Sequence, residues 1–229
     1  LSVNGNGVTY LSKPNGTFQA QLSVNIEFIK DDKIIKVDKY ILSSPEINDT
    51  SFIDFVFLDQ QRYQLFEGDY NLRLRIKDNN NTSEEIKHEQ AIKIKSINNG
   101  FSDIQLVESY SKTKDKNILS KGSYDLVPFI SNLYNTANKK LSCYFEYYSE
   151  TDEEILIQIS IISQSTQKIV NDFVKRKKCK SMFDASLITF SIENLPSGTY
   201  YLNIDAINRN NEAIHSQKRK FYKINKDIK

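Results

Sequence analysis

From Thr17 to Ile29 apolar and polar residues alternate almost without a break. Phe18, Ala20, Leu22, Val24, Ile26 and Phe28 fall on one side, and Gln19, Gln21, Ser23, Asn25 and Glu27 on the other. Side chains of a strand point alternately to opposite faces, whereas an amphipathic helix repeats about every 3.6 residues. The segment therefore predicts a long strand with one buried face, and such a strand needs partners on its edges and a layer against that face.

The rest of the first half supplies candidates. Lys30-Asp31-Asp32-Lys33 reads as a hairpin turn, with Ile34–Leu42 as the returning strand and Ser43-Ser44-Pro45 ending it, because proline cannot continue a ladder. Val8–Leu11, Ser51–Leu58 (with Phe52, Phe55 and Phe57) and the alternating Tyr70, Leu72, Leu74 and Ile76 predict further strands. A closing strand holds Ala91, Ile92 and Ile94 after an Asn-rich turn at Asn79-Asn80-Asn81. The polar stretch Ser96–Gly100 is the best domain boundary.

The second half repeats the scheme. Phe101–Tyr110, Tyr124–Ile130, Leu141–Tyr147, Ile155–Ile161 and Leu187–Ile192 predict strands, with Ser111–Ser123 as a charged loop. Glu67-Gly68-Asp69-Tyr70-Asn71-Leu72-Arg73-Leu74 matches Ser197-Gly198-Thr199-Tyr200-Tyr201-Leu202-Asn203-Ile204. In each copy Gly makes a corner, Tyr brings a ring into the core with its hydroxyl at the rim, and Leu fills the next inward site. The expected fold class is therefore all-β, as two tandem immunoglobulin-like antiparallel β-sandwich domains, 1–98 and 99–229. The length of 229 residues is enough for two domains of ordinary size.

Composition narrows the function classes. With 31 basic and 29 acidic residues, net charge +2, no whole-molecule field draws in nucleic acid. No stretch approaches the roughly 18 apolar residues of a transmembrane helix. The chain opens at Leu1 without Met, which reads as a mature product or a fragment. Cys143 and Cys179 either pair as a disulfide or stand as two buried thiols, and they cannot make a zinc site alone.

Candidate chemistry is sparse. His88 and His215 each lie near the start of a domain's last strand, and aligning Ile86 with Ile214 makes them face opposite ways. A shared metal site or dyad is not expected. The acidic run Glu150-Thr151-Asp152-Glu153-Glu154 lacks the spacing and turn glycine of a calcium loop and reads as a solvated hairpin. No nucleophile elbow, phosphate loop or zinc helix motif is present. We therefore expect no catalytic residue, no cofactor and no metal.

The sharpest local feature is Lys175, Arg176, Lys177, Lys178 and Lys180, interrupted only by Cys179. It is the candidate partner-binding site. An acidic protein or an anionic lipid would meet it by charge; single-stranded nucleic acid would require interleaved aromatic rings, which are missing. The competing reading is an edge strand whose lysines block aggregation. Tyr144, Tyr147, Tyr148, Tyr200, Tyr201 and Tyr222 could offer a carbohydrate platform, although alternation puts Tyr144 and Tyr148 opposite Phe145 and Tyr147 and favours cross-strand packing.

Several segments resemble one family. Tyr10–Pro45, with Gly16-Thr17-Phe18-Gln19-Ala20-Gln21 and Asp38-Lys39-Tyr40, is similar to the N-terminal region of Bacteroidota GWxTD-domain proteins. So are Leu58-Asp59-Gln60-Gln61-Arg62-Tyr63, Gly68-Asp69-Tyr70, Phe101-Ser102-Asp103-Ile104, Tyr124-Asp125-Leu126-Val127-Pro128 and Leu195-Pro196-Ser197-Gly198-Thr199-Tyr200. The Gly-Trp-x-Thr-Asp segment itself is absent, as the chain has no Trp. The resemblance implies an exported protein of the periplasm or outer membrane, compatible with a lipid anchor upstream and working by contact with envelope proteins. The expected function is a non-catalytic protein–protein interaction or scaffolding module. The alternative is a carbohydrate-binding or substrate-positioning region of a larger exported enzyme.

Overall fold

The computed structural model describes residues 1–82, 84–150, 153–179 and 182–225, with the side chains of 153, 175–179 and 182–183 outside the described set. The chain divides into two compact units, Leu1–Ser96 and Ile97–Lys229. The division falls inside the polar stretch noted above, before Ile97 rather than after Asn98. Apart from a single 3-10 turn at Gly5–Gly7, every regular element among the described residues is a strand, so the chain is all-β.

Unit 1 holds β1 (Ser2–Asn4), β2 (Tyr10–Ser12), β3 (Phe18–Lys30), β4 (Lys33–Ser43), β5 (Val56–Leu58), β6 (Gly68–Asp78) and β7 (Ile86–Ile94). Its main sheet runs β4-β3-β6-β7, with β2 against the start of β3, and β1 and β5 form a separate ribbon. The β3–β4 turn places only Asp31 and Asp32 between paired Lys30 and Lys33. Both take positive φ, 51° and 58°, the mirror-image turn whose twist matches that of the strands.

The alternation of β3 becomes the core. Val24, Ile26 and Phe28 are buried with Tyr70, and Tyr40, Leu72, Leu74, Ile92 and Ile94 pack around them. Each such apolar side chain contributes roughly 1.5–3 kcal/mol when fully withdrawn from water. Opposite this face lie Leu1 and, from the strandless connection between β5 and β6, Tyr63 and Leu65. The rings of Phe28 and Tyr63 meet edge to face at 4.9 Å. The Tyr63 hydroxyl donates to Asp38 at 2.7 Å, and Tyr40 donates to Asp59. Burial first, and then these hydrogen bonds, push both phenols above their usual range.

Ser51–Leu58 departs from expectation. Only Val56–Leu58 pairs, with β1, and Phe52 is 82% exposed. The aromatic residues at 52, 55 and 57 do not keep period two, so one sheet face cannot bury all three.

Unit 2 holds β8 (Gly100–Phe101), β9 (Gln105–Lys112), β10 (Ser120–Lys121), β11 (Tyr124–Pro128), β12 (Leu133–Tyr134), β13 (Lys140–Ser149), β14 (Glu153–Ser163), β15 (Ile169–Cys179), β16 (Met182–Ser191), β17 (Gly198–Ile207) and β18 (Ala213–Lys223). One sheet runs β10-β11-β9-β13-β16, with β8 at the end of β13, and the other runs β12-β18-β17-β14-β15. Inward side chains from both sheets form one core: Leu141, Cys143, Phe145 and Tyr147 from β13, Ile155, Ile157, Ile159 and Ile161 from β14, and Tyr200, Leu202 and Ile204 from β17. Two facing sheets sharing one core make a sandwich.

The β12–β18 pairing is parallel. Beside it Lys223, 2% exposed, donates its ammonium to the carbonyls of Asn135 and Asn138 at 2.8 and 3.1 Å. Burial lowers its pKa. The 111–123 segment, expected to be a plain charged loop, is tied down by Asp125. Thr113 and Ser120 donate to its Oδ1 at 2.8 and 2.6 Å, and Asn117 donates to Oδ2 at 2.9 Å.

The repeat is visible in three dimensions. β4-β3-β6-β7 and β15-β14-β17-β18 share strand order and direction. The Tyr70 hydroxyl donates to Phe66 O at 2.9 Å, and that of Tyr200 to Pro196 O at 2.8 Å. Each tyrosine thus fastens its strand entry to the carbonyl four residues upstream, the tyrosine corner of immunoglobulin-like sheets.

Candidate functional site

The predicted cationic run lies on β15. Its backbone at Lys175, Arg176, Lys177 and Lys178 pairs with Ile157, Leu156, Ile155 and Glu154 of β14. Lys180 lies outside the described residues. β15 is formed because Ile169, Val170, Phe173 and Val174 favour extended backbone, and the turn into it closes through Gln167 N to Ser163 O and Ser163 N to Lys168 O, at 2.9 and 3.0 Å.

Among the described residues β15 ends its sheet and pairs only with β14. Its first half carries Ile169, Val170, Phe173 and Val174, each between 46% and 56% exposed. Beneath it a groove of about 170 Å³ is lined by Ile159 and Ile161 of β14, Asn171, Asp172 and Phe173 of β15, and Phe190 of β16. β16 is the edge of the facing sheet, so this groove opens where the two sheets part. Sequence reading found the charges but missed the groove. Phe190 gives no signal of its own, because its role depends on which edges become neighbours.

The tyrosines do not form one platform. Tyr147 and Tyr200 belong to the core. Tyr144 packs on the other face of β13 with Val107, Leu126, Tyr124 and Leu187. The Glu146 carboxylate, also on that face, accepts from Tyr144 at 2.6 Å and from Tyr148. Desolvation, then this bond, pushes Tyr148 up to about 12. The Lys121 ammonium sits 4.8 Å from the centre of the Tyr144 ring. Tyr201 and Tyr222 lie across the β17–β18 ladder, away from this group, paired with Lys220 and Thr199.

The histidines correct the sequence alignment. His88 pairs with Leu74 and His215 with Ala206, both positions on the core side of their sheets. A bulge between Ala206 and Ile207 shifts the β17–β18 register by one. The two residues therefore fall on equivalent faces, not opposite ones. Cys143 is free and buried; burial pushes its thiol up to about 12, which makes it a poor nucleophile at neutral pH. Among the described residues no group of three His, Cys, Asp or Glu side chains is placed to hold a metal ion, and no helix is long and apolar enough to cross a membrane.

No protein-family model and no curated protein matches the sequence. Solved structures with a partial likeness include red sea bream transglutaminase, 7% identical with TM-score 0.28, aligned over 98% of this chain and 28% of that one. Bacteroides uniformis β-glucuronidase 2, covalently bound to cyclophellitol-6-carboxylate aziridine, is 10% identical with TM-score 0.31, over 93% of this chain and 25% of that one. The chain thus spans about a quarter of the length of these structures. At TM-scores this low the likeness carries no functional argument.

Proposed function

We propose that the chain is a non-catalytic protein–protein interaction module serving an assembly of the bacterial cell envelope, exported to the periplasm or outer membrane. One observation carries the reading: among the described residues the outer edge of β15 has no strand against it, and the strand leaves four large apolar side chains about half exposed. An open edge with apolar side chains is a template for another chain, and folds that do not use such an edge usually blunt it. The envelope setting rests on the GWxTD-family resemblance.

A second reading, a carbohydrate-binding or substrate-positioning region of a larger exported enzyme, draws on the β13 face, where Tyr144, Glu146 and Tyr148 bring aromatic rings and a carboxylate together. Two measurements on the purified chain separate them: retention of defined envelope proteins, and a glycan array. Saturable retention of a protein partner with no glycan signal supports the first. Specific glycan binding that is lost in Glu146→Gln, with no protein retained, would replace it with the second.

A further inference from the structure

We infer that β15 accepts an additional strand from a protein partner, an extended segment that is apolar where it meets Ile169–Val174 and acidic where it meets Lys175–Lys178. This names the partner's chemistry and rests on the interaction-module reading.

Three observations converge. Among the described residues the outer edge of β15 is unpaired over 11 residues, longer than a typical strand, so a ladder of ordinary length fits along it. Below its first half, the groove lined by Ile159, Ile161, Phe173 and Phe190 opens between the two sheet edges. A strand added to β15 places alternate side chains over that opening, where an apolar one is withdrawn from water. The charges are also segregated. From 169 to 174 there is no cation and a single acid, Asp172, whereas 175–178 are all cationic.

The contrast with β4, the corresponding edge of unit 1, is informative. There Lys33, Lys36 and Lys39 are spread among Ile34, Ile35, Val37 and Ile41. A lysine within reach of every apolar residue is the pattern that deters strand addition. β15 instead keeps its apolar and cationic halves apart. That division selects a partner with a matching one, since like charge along the second half would oppose docking and opposite charge speeds it.

The test uses the full chain and fluorescent peptides of the length of β15, each with a Val/Thr-rich half and a Glu-rich half, made in both chain directions. Matched peptides carry Lys for Glu. Binding by either direction of the acidic form, at least about tenfold tighter than the Lys form and weakening as salt rises, is expected. Amide-exchange protection should concentrate in 169–179. Lys175→Glu with Lys177→Glu should weaken binding at least about tenfold, and Phe173→Ala by several-fold; far-ultraviolet circular dichroism shows whether each variant is folded. Equal binding of the Lys peptides, or protection centred elsewhere, overturns the proposal. If envelope partners are retained equally by the wild type and by the folded Lys175→Glu/Lys177→Glu variant, the β15 assignment fails and the module reading stands. If neither peptides nor envelope proteins are retained by the wild type, both fail.

Discussion

The two units build the same four-stranded sheet and finish it differently. In unit 2 a second sheet closes over it, and Leu202 on β17 has no exposed surface. In unit 1 the layer opposite comes from Leu1, Tyr63 and Leu65, and Leu72, the residue matching Leu202, is only partly buried. The outer faces differ as well. Glu27 stands opposite Arg73, whereas Ser160 stands opposite Asn203 at the equivalent rung. Glu27 is 6% exposed, and Arg75 reaches both its oxygens at 3.0 and 3.1 Å while Arg73 bridges it to Glu89. A shared backbone plan thus tolerates a carboxylate–guanidinium rung in one copy and a hydroxyl–amide rung in the other. The lesson is that the hairpin pair sets the sheet, and the stretches between hairpins decide how deeply it is buried.

The sharpest way to break this comparison is truncation at the matched leucines. Leu202→Ala should cost about 3–5 kcal/mol and Leu72→Ala about half as much, read by denaturant unfolding with local amide exchange to assign each loss to its unit. Equal costs would show that the thinner layer of unit 1 seals its core as well as a sheet does. Next in size is the charged rung. Replacing Arg73 and Arg75 together by Met leaves Glu27 buried without a cation and should cost about 3 kcal/mol, whereas Asn203→Ala should cost about 1 kcal/mol. Tyr70→Phe and Tyr200→Phe each remove one hydroxyl-to-carbonyl bond and should cost a similar ~1 kcal/mol in thermal unfolding. A large inequality would deny that the two corners are equivalent.

The smallest effect is local and acid-dependent. Glu46 accepts from Lys13, Asn15 and Thr17 in unit 1, which hold it at about 2, and Ser120, Thr113 and Asn117 hold Asp125 below its usual range. Both folded values lie below the unfolded ones, so their support is present above the unfolded pKa and is lost as pH falls through the folded one. Between about pH 4.5 and 2, amide exchange should quicken in the Lys13–Thr17 turn and in 113–123 before it does in the strands. Unchanged loops at pH 2 would count against both knots.

Most strands were legible because alternation is local. Thr17–Ile29, Tyr70–Ile76 and Ile155–Ile161 each write their buried face in period two. Residues whose role depends on a distant partner were not. Lys223 looks like any terminal lysine until β12 lies parallel to β18. Asp125 looks like a solvated acid until the 113–120 segment folds back on it. The His88 and His215 faces were misjudged because one bulge leaves no mark in composition. Of the candidate edge, the cations at 175–178 could be read directly, but the groove behind Phe173 could not, because Phe190 comes to it from the other sheet.

Cys143 has a use that its packing does not suggest. Its sulfur is enclosed between the sheets of unit 2 and in no disulfide among the described residues, so a thiol reagent can reach it only when that core opens. In a chain with Cys179→Ser, the labelling rate would count those openings. The protein therefore carries its own clock for the breathing of one unit, readable without a fluorophore or a tag.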